Sequence, residues 1–230
     1  MLKMAAAHGT TDLVVTPHAN PTYEFVPERI AQRIQEVTEA SGKAVRVHTG
    51  CDFHLSYENI QGAIDDPQKF TINHLNYLLV EFSDLMISRS TGEVFARLLD
   101  AGMIPIITHP ERNSLLRQRL PELTAWAASG ALLQITAQSL IGEFGRRAQE
   151  FCELLLRQGL VHFVASDAHD CQRRPPRLDL AHAWLVEHCG QEAADGLCVA
   201  NPKATLTGER LEFMAVELSL SSRKWYHFWK

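Results

Sequence analysis

The residues with the greatest chemical potential are His18 in VVTPHAN, Asp52 in VHTGCDF, Glu81 in LLVEFS, His109 in IITHPER, and Asp167 and His169 in FVASDAH. Each closes a short apolar or β-branched run and opens a polar one, as where a buried strand runs out into a loop. Imidazole and carboxylate together suit zinc, manganese or iron, and converging carboxylates allow bridging between ions. Asp167 and His169 sit two apart, so an extended segment projects both to one side. Glu81 follows Leu78, Leu79 and Val80. An ionised carboxylate there is costly unless a cation or hydrogen bonds compensate. His8, His48, His74, His162, His182, His188 and His227 lack this placement and read as surface or satisfied core residues.

Arginines near the same loops indicate an anionic ligand. Arg112 follows His109 by three residues, and Arg173 and Arg174 follow His169. Guanidinium groups recognise phosphate bidentately. A rival chemistry lies in CQRRPPR, from Cys171 to Arg177, which has the C-x5-R spacing of cysteine-dependent phosphatases. That mechanism wraps phosphate in successive backbone N–H groups, and Pro175 and Pro176 have none to give. No GxxxxGK[ST], GxSxG or GxGxxG motif occurs, which disfavours nucleotide kinases, serine esterases and dinucleotide oxidoreductases.

These residues need elements to position them. Strands are expected over Asp12–Thr16, Ala44–Gly50, Tyr77–Phe82, Ile104–Thr108, Leu132–Thr136 and His162–Ser166. Amphipathic helices are expected over Pro27–Ser41, Thr91–Ala101, Pro121–Ser129, Arg146–Gln158 and Asp179–Cys189. Pro27 and Pro121 suit a first helical turn, while Gly42, Gly102, Gly130 and Gly159 suit left-handed caps. The repeating order of helix, glycine, strand and loop implies an α/β fold with parallel strands, which binds ligands beyond the carboxyl ends of its strands.

At 230 residues, 46% hydrophobic and 21% charged, the chain reads as one globular domain over 1–230, with about 210–230 as a tail. The tail from Met214 ends RKWYHFWK and reads as a packed or frayed terminus. A net charge of -5 and a pI near 6.1 give no whole-molecule attraction to nucleic acid. Cys51, Cys152, Cys171, Cys189 and Cys198 form no CxxC pair and read as thiols of a reducing compartment. No apolar run approaches the ~20 residues of a membrane span, and the opening MLKMAAAHGTTDLVV is no signal peptide. A cytoplasmic protein is expected, not an integral membrane one.

TPHAN, HTGCD, LLVEFS, THPERN, VASDAHD and RRPP, in that order, resemble the PHP-domain superfamily and within it the bacterial capsule-locus protein-tyrosine phosphatases. The resemblance runs from residue 1 to NPKATLTGE near 209. It implies a distorted PHP-type (β/α)7 barrel holding up to three divalent ions, most often manganese. It also implies hydrolysis of phosphotyrosine on a protein such as a bacterial tyrosine kinase of polysaccharide assembly. By the same resemblance Asp52 stands where the family has a bridging glutamate, and Glu81 and His109 complete one ion's shell. Asp167 contributes to another ion, His18 and His169 serve a third, and Arg112 and Arg174 bind phosphate. The family's opening D-x-H-x-H strand is not in this sequence, so the expected barrel lacks its first strand. Two other readings keep the scaffold: a phosphatase of a small ester such as histidinol phosphate, and a catalytically impaired module that binds metal or phosphoprotein.

Overall fold

The computed structural model describes residues 1–211; the tail from Met214 lies outside them. In chain order the elements are α1 (Leu2–Ala7), β1 (Asp12–Val15), β2 (His18–Ala19), α2 (Pro27–Ala40), β3 (Arg46–Thr49), β4 (Asp52–His54) and α3 (Tyr57–Asp65). They continue with β5 (Tyr77–Glu81), α4 (Thr91–Asp100), β6 (Ile104–Thr108), α5 (Leu120–Ala128), β7 (Leu132–Thr136), α6 (Ala137–Leu140), α7 (Arg146–Arg157) and β8 (Phe163–Ala165). Last come α8 (Asp179–Cys189), α9 (Gln191–Asp195), a π-helical turn (Gly196–Ala200) and α10 (Asn201–Thr207).

Every strand pairing is parallel. One sheet runs β2-β4-β5-β6-β7-β8, and β1 pairs with β3 beside it. The expected strands are all present, and the first two are each followed, past Thr16-Pro17 and Gly50-Cys51, by a short strand, β2 and β4, where a loop is expected. Asp12 pairs with Arg46 and His18 with Asp52, the same offset of 34, so both sheets continue one ladder across the break. Pro17 has no N–H to give the ladder, and its carbonyl accepts from Asp52 N–H at 3.1 Å, which re-engages the pair. α3, α6, α9 and α10 lie outside the expected helices, whereas Gly42, Gly102, Gly130 and Gly159 all take positive φ after their helices.

Alternation along the strands separates two cores. Leu78, Val80, Ile107, Leu133, Ile135 and Val164 face outward into the main core with the helices. Helix α7 shows how a helix meets it: Ala148, Phe151, Cys152, Leu155 and Leu156 recur at helical spacing and are buried, each Leu contributing about 1.5–3 kcal/mol. Tyr77, Leu79, Ile106 and Phe163 face inward, with Val14, Leu206 and Leu211 packed against them. Among the described residues β1 is hydrogen-bonded to β3 alone and β8 to β7 alone. A cavity of about 1290 Å³ is lined by residues of both strands, among them Val14 and Phe163, and reaches His18 and Asp167.

His162, just before β8, ties the structure to pH. Its Nδ1 accepts from the Leu133 N–H at 3.1 Å, and burial pushes its pKa down to about 4 from the ordinary 6.5. Holding this ring neutral contributes stability above pH 6.5 that is lost as the pH falls toward 4, because the unfolded chain takes up the proton first. Lowering the pH from 7 to 5 therefore removes about 2 kcal/mol through this residue. Urea unfolding at the two pH values checks it: His162→Gln, which keeps an acceptor for Leu133, flattens the dependence, and an unchanged slope would contradict the assignment.

Candidate metal and phosphate site

The alternation that buries Tyr77 and Leu79 inside the barrel sends Glu81 into its mouth, and the same parity brings Asp52 and His18 there from β4 and β2. His18 Nδ1 lies 3.2 Å from Asp52 Oδ2 and 3.1 Å from Glu81 Oε2. One donor atom from each of these residues lies within 4.8 Å of the others. His109 joins from the loop after β6, its Nε2 3.8 Å from Glu81 Oε1. His54, absent from the sequence reading, stands beside Glu81 in register.

The charge balance of this cluster is that of a cation site. Burial and then the charge of Asp52 raise the pKa of Glu81. His18 is raised to about 9 by its contact with Asp52, against the opposing effect of burial, with Glu81 adding to the rise. His18 Nδ1 and Asp52 Oδ1 are both buried without a well-directed hydrogen bond. Groups with lone pairs aimed into a common space, each strained by its neighbours' charge, fit a divalent ion. Of the residues expected around one ion, Asp52 and Glu81 lie together with His18, and His109 lies at the edge of that group.

The second cluster is cationic. Arg112 Nη1 and Arg174 Nη2 both donate to Asp167 Oδ2, and both guanidinium groups lie over the Phe144 ring, at 4.8 and 6.0 Å from its centroid. Arg174 Nε is buried and has no partner. Asp167, expected among metal ligands, is paired here with the arginines. His169 is half-exposed, its Nδ1 3.8 Å from Asp167 Oδ1. His109 and Asp167 have φ of +36° and +46°, conformations that non-glycine residues adopt rarely and at a cost.

Side-chain amides stitch the loops around both clusters. Asn59 Nδ2 donates to Ala19 O at 2.7 Å and to His54 O at 2.9 Å, joining the ends of β2 and β4. Asn113 Nδ2 reaches Ser83 O at 3.1 Å, and its Oδ1 accepts from the Leu115 and Leu116 N–H groups. Gln138 Nε2 donates to Arg173 O at 2.9 Å. Glu111 is fully buried and its Oε1 accepts from Thr136 N–H at 3.0 Å, fastening the His109–Arg112 loop to the end of β7. Burial raises its pKa. These residues and Phe144 escaped the sequence reading; only Glu111, a charge in a run of strand-end residues, carried a local signal.

The C-x5-R segment is closed to an anion. Asp170 Oδ1 accepts from the N–H groups of Gln172, Arg173 and Arg174 at 2.6, 2.6 and 3.2 Å. Arg177 N–H is bonded to Pro175 O at 2.9 Å, and its guanidinium pairs with Asp179. No backbone donor from 172 to 177 is left to cradle phosphate beside Cys171.

Comparison with known proteins identifies the family and the fold. The family described as "Capsular polysaccharide synthesis, CpsB/CapC" matches residues 1–207. The chain is 32% identical over 231 residues to CapC of Staphylococcus aureus, covering 98% of this chain and 89% of that one. It is 31% identical over 196 residues to the tyrosine-protein phosphatase YwqE of Bacillus subtilis, covering 84% and 77%. Its fold matches, with a TM-score of 0.84 and 28% identity over 94% of this chain and 90% of the other, a chain from the crystal structures of YwqE and of CpsB from Streptococcus pneumoniae, described as metal-dependent tyrosine phosphatases. With its α/β architecture, its cluster of metal-type ligands and its paired arginines, this chain belongs to the CpsB/CapC family of capsular polysaccharide synthesis.

Proposed function

We propose that this chain is a metal-dependent phosphatase that hydrolyses phosphotyrosine on proteins regulating capsule or exopolysaccharide synthesis, a bacterial tyrosine kinase of that assembly being the partner. The observation that carries the reading is the pairing of two clusters at one barrel mouth: imidazole and carboxylates on one side, and two guanidinium groups with a free buried N–H on the other. The relatives' names as tyrosine-protein phosphatases support it.

His18, Asp52 and Glu81, with His109 beside them, would hold the ion. A thiolate-free set rich in carboxylate favours manganese over zinc, with iron also compatible. When bound, a divalent ion supplies Lewis acidity toward phosphoryl oxygens and lowers the pKa of water. The chain's own contribution is electrostatic and positional. Arg112 and Arg174 would take the equatorial phosphoryl oxygens, with Arg174 Nε satisfied by one of them, and Phe144 would keep both planes in place. A phosphate dianion competes with Asp167 for these arginines, which frees that carboxylate as the ester enters. Among the described residues no helix is long and apolar enough to cross a membrane. All five cysteines are unbridged, which supports a cytoplasmic protein.

The expected outcome is turnover of p-nitrophenyl phosphate and of a phosphotyrosine peptide in added manganese, with the peptide preferred over histidinol phosphate in kcat/KM. Arg112→Ala and Arg174→Ala each lower kcat by about 100-fold or more, Glu81→Gln removes the manganese response, and Cys171→Ser leaves activity intact. Inactivation by Cys171→Ser with Glu81→Gln still active would overturn the proposal. Protein that binds manganese and peptide but releases no phosphate would be a binding module instead.

Phe144 gives a separate handle. Phe144→Ala weakens competitive inhibition by inorganic phosphate about fivefold, the worth of one cation–π contact, whereas Phe144→Tyr retains it. Equal inhibition constants in all three proteins would show that the ring does not order the arginines.

A further inference from the structure

The four most exposed large hydrophobic side chains among the described residues are Leu85 at 93%, Tyr57 at 78%, Met86 at 73% and Tyr23 at 60%. A single exposed apolar residue is ordinary. These four are not scattered. Tyr23 follows β2, Tyr57 opens α3 after β4, and Leu85 and Met86 follow β5. Those three strands are neighbours in the sheet and carry His18, Asp52 and Glu81. The most exposed large apolar side chains among the described residues therefore lie on one arc of the rim around the candidate metal cluster.

The residues are held outward. The loop after β5 is pinned by Asn113 through Ser83 O, by Leu85 N–H on Ser83 Oγ at 3.1 Å, and by burial of Ile87 at 7% exposure. Ser56 Oγ caps α3 at Asn59 N–H, which fixes Tyr57 at the first turn. With this backbone bonded in place, the side chains have no core to fold into. Large apolar side chains exposed together beside a site, rather than scattered singly, mark an interaction surface.

We infer that Tyr57, Leu85 and Met86 form the surface that grips the polypeptide on either side of the phosphotyrosine, so that the protein selects phosphoproteins carrying apolar residues beside the modified tyrosine. The inference rests on the phosphotyrosine reading of the site, and continuity with that site identifies the occupant: a phosphotyrosine reaching the arginines must lay its flanking chain across the barrel rim. Tyr23, whose ring stacks on His18 with centroids 6.5 Å apart, belongs to the metal cluster and is left out of the test.

The decisive comparison uses a phosphotyrosine peptide flanked by leucines, the same peptide flanked by serines, and free O-phosphotyrosine, all with manganese. Non-hydrolysable phosphonate versions of both peptides are followed by fluorescence anisotropy. Wild-type protein should bind and turn over the leucine-flanked peptide about tenfold better than the serine-flanked one. In L85S/M86S and in Tyr57→Ser that preference should collapse, while kcat/KM on free O-phosphotyrosine stays unchanged. A wild-type protein indifferent to the flanks would overturn the inference. So would variants that lose free phosphotyrosine in step with peptide, or a change of oligomeric state in L85S/M86S by light scattering, which would assign the patch to a second copy of the chain. If wild-type turns over none of these esters, the phosphatase reading fails by itself, and the anisotropy arm still decides the rim.

Discussion

Asp52 and Glu81 place two carboxylates around one imidazole at the mouth of a barrel, and the arrangement calls for positive charge there, from protons or from a cation. Burial and the charge of Asp52 drive Glu81 toward the neutral acid, while contact with Asp52 drives His18 toward the imidazolium. Across the mouth the opposite imbalance holds. Arg112 and Arg174 crowd onto a single carboxylate, Asp167, with one guanidinium N–H still unpaired. A cation would relieve the first cluster and a dianion the second, as the proposed metal ion and phosphate ester would.

The rest of the fold serves that juxtaposition. Parallel strands with a two-residue repeat put the same parity that packs Tyr77 and Leu79 inside the barrel at the mouth as Glu81, and the common offset of 34 sets His18 directly beside Asp52. The break at Pro17 and Gly50 leaves that register intact. Around the mouth, Asn59, Asn113, Gln138 and the buried Glu111 bond loop to loop, so ligands from different strands are held by more than their own backbone. Such supporting contacts decide whether a set of ligands is positioned to within the tolerance that binding requires.

Much of this was legible in the chain because strand ends and helix caps leave local marks. The expected strands, the glycine stops and the metal-compatible residues all follow from periodicity and from the cost of a charge beside an apolar run. The partnering of those residues was less legible. The left-handed backbone of His109 and Asp167 turns each side chain in a direction that no periodicity encodes, so His109 sits at the edge of the carboxylate cluster and Asp167 faces the arginines. Phe144 and the amide staples act between segments far apart in sequence. Asn59 and Ala19 are separated by 40 residues, and nothing local to either announces the bond.

His18, Asp52 and Glu81 are proposed to hold a divalent ion. Anomalous diffraction from crystals grown with manganese chloride tests it without reference to turnover. A manganese peak is expected within coordination distance of His18, Asp52 and Glu81, absent in Glu81→Gln crystals. Density confined to other residues, or an unaltered peak in the variant, would contradict it.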